Sequence, residues 1–214
     1  MTLHRLGYHH GDLQNALVAS AVRLIEASGT SSFSLREAAR DVGVSANAAY
    51  RHFDDKSALM TAVAAFGFRQ LATQMVDAMA NAASDSSEEP ASVARFKAVG
   101  RAYVEFAIAH PELFRVMFGA CGAECRKAEP GADAMEDPWS LLGRSLDALV
   151  ADGLLASALR PGAELKAWSV VHGFASLALD GLGSMPTAAE RAPALEALLA
   201  FAVVGLCGPQ ISGT

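Results

Sequence analysis

Apolar residues in this 214-residue chain recur at helical spacing almost from end to end, while alternating Val/Ile/Thr runs with Asn-Gly or Asp-Gly turns do not occur. A period near 3.6 buries a stripe on a helix but cannot keep one face of a strand apolar, so the pattern predicts an all-α fold. Leu13, Ala16, Leu17, Ala21, Leu24 and Ile25 make a first stripe that Gly29 closes. Ser34, with Glu37 three residues on, reads as a capping box that opens a short helix through Leu35, Ala38, Ala39 and Val42 and stops near Gly43. Ser45 is placed to cap a third, short helix through Ala48, Ala49 and Tyr50. Asp54 and Asp55 precede a long stretch from Lys56 to about Ala83, where aspartates meet the positive end of a helix dipole. Ser84 to Pro90 reads as a linker. Beyond it the sequence predicts a helix ending at His110, a short one from Pro111 to Phe118, and an irregular stretch from Cys121 to Pro138. Further helices are expected near Pro138–Ala151, Gly162–Leu182 and Ala188–Leu206, which brings the total to about nine.

The formal net charge of -6 speaks against a nucleic-acid partner when taken over the whole chain. Divided, it reads differently. Residues 1–57 hold six bases (Arg5, Arg23, Arg36, Arg40, Arg51, Lys56) and six acids (Asp12, Glu26, Glu37, Asp41, Asp54, Asp55), so the whole deficit lies beyond residue 57. Four of the six histidines (His4, His9, His10, His52) also fall in this neutral part. Such asymmetry points to two domains with different partners, 1–57 and 58–214. No basic-then-apolar leader opens the chain, and the greasiest segment, Leu195 to Cys207, is interrupted by Glu196 and falls short of the roughly 18 residues of a span. A cytoplasmic protein with no membrane partner is expected. Cys121, Cys125 and Cys207 have no disulfide-framework spacing, and no second pair completes a zinc site, so reduced thiols without metal or cofactor are expected.

The chemistry concentrates in residues 34–53. Two short helices meeting at a glycine-containing turn have the geometry of a helix-turn-helix, whose second helix lies in the major groove of double-stranded DNA. Its leading end reads Ser45, Ala46, Asn47, Ala48. Asn47 can pair with adenine, and an alanine methyl can touch the thymine methyl. Tyr50, Arg51, His52 and Lys56 offer hydroxyl, guanidinium, imidazole and ammonium donors along one short arc suited to phosphate oxygens. Backbone amides at the start of the fourth helix would add another phosphate site. Tyr50 and His52 have an alternative role as aromatic filler beneath the first helix, and Phe53 reads as core.

The run Ala-Arg-Asp-Val-Gly-Val-Ser, four residues, then Tyr-Arg-His-Phe-Asp-Asp-Lys-Ser-Ala-Leu closely resembles the DNA-binding domain of TetR/AcrR-type transcriptional regulators. Gly7-Tyr8-His9-His10-Gly11-Asp12-Leu13 resembles one branch of that family, and Trp168-Ser169-Val170-Val171-His172-Gly173 looks like the Trp-His-Gly (WHG) motif of a C-terminal ligand domain. The resemblance implies an N-terminal three-helix DNA-binding domain and a C-terminal helical domain for ligand binding and dimerisation. It implies a homodimer built through the last two long helices (about 162–182 and 188–206), operator DNA, an unidentified small-molecule effector, and most often repression relieved by that effector. Residues matching Arg36, Ser45, Ala46, Asn47 and Tyr50 would face the groove, and those matching Tyr50, His52 and Lys56 would meet phosphates. Ala46 stands where many relatives carry a basic or polar side chain, so no relative's operator transfers to this chain.

In the C-terminal part, Phe106, Phe114, Phe118, Trp139, Trp168 and His172 are the candidate effector contacts. Trp168 and His172 are four apart and share a helix face, and a core histidine stacked on tryptophan is the competing account. Gly173 would permit close helix approach, and Gly67, between Phe66 and Phe68, reads as a hinge or as a packing demand. Two other functions compete with regulation. One is a Cys–His nucleophile drawn from Cys121 or Cys125 with His110 or His172, which no local signature supports. The other is an interaction protein whose helix-turn-helix binds no DNA.

Overall fold

The computed structural model describes residues 10–82, 89–127, 137–181 and 187–208. These form ten α-helices and a short 3-10 turn, with no strand among them: α1 (His10–Ser32), α2 (Leu35–Val42), α3 (Ala46–Tyr50), α4 (Lys56–Ala82), α5 (Ala91–Ala109), α6 (Pro111–Phe118), α7 (Ala120–Lys127), α8 (Pro138–Ala151), α9 (Ala163–Leu179) and α10 (Ala188–Cys207). The expectation of about nine helices is one short. The missing one is α7, in the stretch expected to be irregular. Its Ala-Cys-Gly-Ala-Glu-Cys-Arg-Lys sequence has helix formers but too few apolar residues to show a stripe.

Local chemistry sets the helix ends. Gly29 leaves helical geometry at φ 74° and ends the straight part of α1. Ser34 Oγ accepts from the Glu37 N–H at 3.3 Å and donates to the Glu37 carboxylate at 2.9 Å, which joins this capping pair side chain to side chain. Gly43, left-handed at φ 79°, turns the chain so that the Val44 N–H returns to the Ala39 carbonyl at 2.9 Å. Ser45 Oγ then caps α3 through the Ala48 N–H at 3.2 Å.

The chain divides into two compact units: Met1–Gly67 with His110–Pro130, and Phe68–Ala109 with Gly131–Thr214. This differs from a boundary after residue 57 for two reasons. Helix α4 runs on unbroken past that point, and α6, distant in sequence, packs on α1. Glu26 of α1 accepts from the Leu113 N–H at 3.0 Å, which caps α6 where His110 gives no side-chain cap. In the first unit Leu17, Ala21 and Ile25 share the buried core with Phe33, Leu35, Ala38, Ala49, Phe53, Leu59 and Val63. In the second, α5 packs against α8, α9 and α10, and buries Phe96, Val99, Tyr103 and Phe106. Arg101 of α5 clasps Glu196 of α10 with two bonds of 2.7 and 2.9 Å.

Gly67 is explained by packing. A Cβ built there would lie 2.5 Å from Met117 Sδ and 2.7 Å from its Cγ, so α4 needs a bare Cα to pass α6. Gly67→Ala is expected to destabilise the protein by about 1 kcal/mol net, since overpacking costs about 1–3 kcal/mol and alanine regains about 1 kcal/mol of helix propensity. Met117→Ala removes the opposing atoms, so urea unfolding of the double variant should show a loss smaller than the two single losses combined.

Candidate nucleic-acid interface

The first unit presents α3 on a platform made by α1 and α2. Ala49, the one fully buried residue of α3, anchors the helix, while Ser45, Asn47 and Tyr50 are exposed and Ala46 and Ala48 are half-buried. Tyr50 is 42% exposed, which overturns its reading as filler beneath α1, whereas Phe53 at 4% is core. Arg36 of α2 and Arg51 at the end of α3 are exposed, and His52 is half-buried. Ser45, Ala46, Asn47, Tyr50, Arg51 and His52 thus lie on or directly beside α3, and Arg36 lies on α2, the helix that packs against it.

Lys56 is exposed and also has a partner within the unit. Its Nζ donates to the Thr30 carbonyl at 2.8 Å and lies 5.6 Å above the Phe33 ring, so one of its donors already ties α4 to the end of α1. The neighbouring amides are also partly used, because Asp55 Oδ1 accepts from the Ala58 N–H at 2.8 Å. Asp55 therefore occupies part of the phosphate site expected at the start of α4.

The platform is held by a cluster that sequence reasoning missed. Ser20 Oγ, fully buried on α1, donates to Asp41 Oδ2 at 2.6 Å, and Arg23 Nη2 donates to the same oxygen at 2.6 Å. Ser20 interrupts an apolar stripe, which is the available clue, but its partner lies 21 residues on. The Ser20 hydroxyl and the Arg23 guanidinium hold the Asp41 carboxyl below its ordinary value.

The expected effector residues are scattered. Phe114 and Phe118, with ring centres 4.7 Å apart, belong to α6 and hence to the first unit. Phe106 is buried core on α5. In the second unit Tyr103 gathers the rest: it meets Trp168 edge-on at 5.1 Å, its hydroxyl lies 2.8 Å from His172 Nδ1, and Trp139 lies tilted against Trp168 at 5.6 Å. Burial pushes the His172 pKa down. Among the described residues a Cβ at Gly173 would meet nothing within 4 Å, so close packing among them does not explain that glycine. The cysteine–histidine pairings gain no support: Cys121 is a free, half-buried thiol, and the side chain of Cys125 lies outside the described residues, as do the Gly7–His9 arm and the Ser84–Glu88 part of the linker. Among the described residues no group of three or more His, Cys, Asp or Glu could hold a metal, and no helix is long and apolar enough to cross a membrane.

The α2–turn–α3 segment, with its side-chain caps and left-handed Gly43, is a helix-turn-helix, and the second unit is helical throughout its described residues. Residues 17–63 match the bacterial regulatory proteins of the tetR family, and residues 96–202 match the tetracyclin repressor-like C-terminal domain. The chain belongs to the tetR family of bacterial transcription regulators, which are DNA-binding proteins and not enzymes. A Rhodococcus sp. RHA1 protein of unknown function is similar over 95% of this chain and 100% of its own, with 30% identity and a TM-score of 0.73. A regulatory protein of the tetR family, also from Rhodococcus RHA1, shares the fold at 18% identity and a TM-score of 0.59, covering 91% of this chain and 96% of its own. A TetR-family transcriptional regulator from Haemophilus influenzae RD does so at 16% identity and a TM-score of 0.57, over 90% of this chain and 95% of its own. No curated protein gave a significant match.

The Asp41 cluster has a pH consequence. With its folded pKa below the unfolded value, the carboxylate favours folding at all pH above that value, and the contribution disappears as pH falls through the folded pKa. Asp41→Asn is expected to lower the melting temperature at neutral pH and to shrink the drop seen on acidification below about pH 4. Circular dichroism melts across that range would show it; identical acid profiles for the two proteins would exclude the assigned role.

Proposed function

We propose that this protein is a homodimeric repressor that grips operator DNA through α3 and lets go when a small molecule binds its C-terminal domain. The observation that carries the DNA-binding part is the small, polar, exposed front of α3, held by one buried alanine and a side-chain cap. On this reading Arg36, Ser45, Ala46, Asn47 and Tyr50 face the groove and Arg51 and His52 meet phosphates, with Lys56 lending its remaining donors. Residues 1–57 would carry DNA recognition and 58–214 the ligand and dimer functions. Dimerisation is supported by apolar side chains left exposed on the last two helices, Leu165 at 64% and Leu177 on α9, and Phe201 at 66% and Val204 on α10. Gly173 and Gly205, with open space around them, would let a second copy approach closely. Two recognition helices in such a dimer would read half-sites about one DNA turn apart. The Trp-His-Gly motif, centred on the Tyr103 cluster, supports assignment to the branch with that ligand domain. A cytoplasmic location fits this role.

DNA upstream of the protein's own coding sequence is the first substrate to try in gel-shift and anisotropy experiments. Asn47→Ala is expected to cost about 1–3 kcal/mol and to relax the preference at one base pair. Arg51→Ala should instead weaken all sequences alike and reduce the salt slope by about one. No retarded band with any promoter fragment at low salt would favour the interaction protein over the regulator.

Phe201→Glu places a charge at the centre of the proposed dimer face. Light scattering should then report monomers, and operator affinity should fall by at least about tenfold because the two half-sites are no longer bound together.

A further inference from the structure

The chain has two tryptophans, and they meet in the second unit. Trp139, in the first turn of α8 and 46% exposed, lies tilted against Trp168 of α9 with ring planes 45° apart. Behind Trp168 lies a cavity whose wall includes Met75, Phe96, Tyr103, Val171 and Leu199. Its free volume is about 20 Å³, room for about one water, so no effector enters until part of the wall moves. Trp168 is the one lining residue that is not buried. Among the described residues no charged side chain lines the cavity, and the hydroxyl of Tyr103 is committed to His172.

We propose that the Trp139–Trp168 pair is the gate of this cavity, and that what it admits is an uncharged, planar aromatic molecule. The proposal rests on the protein being a ligand-responsive regulator and names the class of its effector. Three aromatic rings, those of Phe96, Tyr103 and Trp168, offer faces and edges that a flat ring can meet. A charged ligand would lose its hydration with no counterion to replace it. Trp139 is half-solvated and does not line the cavity, so its side chain can turn away from Trp168 without disturbing the packed wall.

Because both tryptophans sit at the gate, the emission of the native full-length protein reports on it directly. Three probes separate the terms: para-nitroanisole, neutral and flat; para-nitrobenzoate, flat and anionic; and nitrocyclohexane, neutral and not flat, with free tryptophan as control for collisional quenching and absorption. Saturable quenching by para-nitroanisole, at least about tenfold tighter than by the other two, is expected. Trp139→Phe should retain it. Trp168→Leu, and Ala202→Val, which fills the cavity, should abolish it while the circular dichroism melt remains cooperative; should the first not fold, the second decides. Equal quenching by all three probes, quenching that never saturates, or saturable quenching that survives Ala202→Val would each overturn the gate. A gel shift on the same preparation separates the two readings. A retarded band without saturable quenching removes the gate alone, and saturable quenching without a band removes the regulator and leaves the binding site.

Discussion

The shape of the helix-turn-helix depends on the burial of one stripe of α1. Leu17, Ala21 and Ile25 have no exposed surface, and the larger of these side chains contribute roughly 1.5–3 kcal/mol each by leaving water. The same turns of α1 carry Ser20 and Arg23, which converge on one oxygen of Asp41 and so set the position of α2. A two-turn helix such as α2 and a five-residue helix such as α3 are too short to persist alone. They hold their shape because caps satisfy their open N–H groups and because Ala38, Ala39 and Ala49 are small enough to let the backbones close on that stripe. The other side of α1 does similar service for α6, through Glu26.

The second unit is organised around α5, eleven of whose nineteen residues are buried. Arg101 ties it to α10 and Tyr103 ties it to α9, one through a paired charge and the other through a hydroxyl that has found its partner. A buried phenol so satisfied leaves a cavity wall with apolar character, while the rim, where the indoles meet, stays partly wet. The net charge of -6 lies wholly beyond residue 57, so the residues that carry the helix-turn-helix are neutral overall.

Helix positions were legible because they depend on local rules. Gly29, Gly43, Ser34 and Ser45 act within four residues of themselves, and Pro111 and Pro138 begin α6 and α8 as their missing N–H groups allow. What local rules do not supply is the distant partner. Lys56 on α4 meets Thr30 and Phe33, more than twenty residues earlier. Phe114 and Phe118 sit on α6, which packs with α1. Gly67 was ambiguous until Met117 was seen across from it, and Gly173 lost its supposed neighbour.

By itself, the sequence determined an all-α chain, the helix-turn-helix with its caps, and the residues at the front of α3, since periodicity, capping and turn chemistry act over a few residues. Tertiary structure alone decided that α6 joins the first unit, that Asp41 is the joint between α1 and α2, and that Tyr103, Trp168, His172 and Trp139 form one cluster. Those contacts join residues tens of positions apart, and their geometry follows from how whole helices bury their stripes, a quantity no local window of sequence contains.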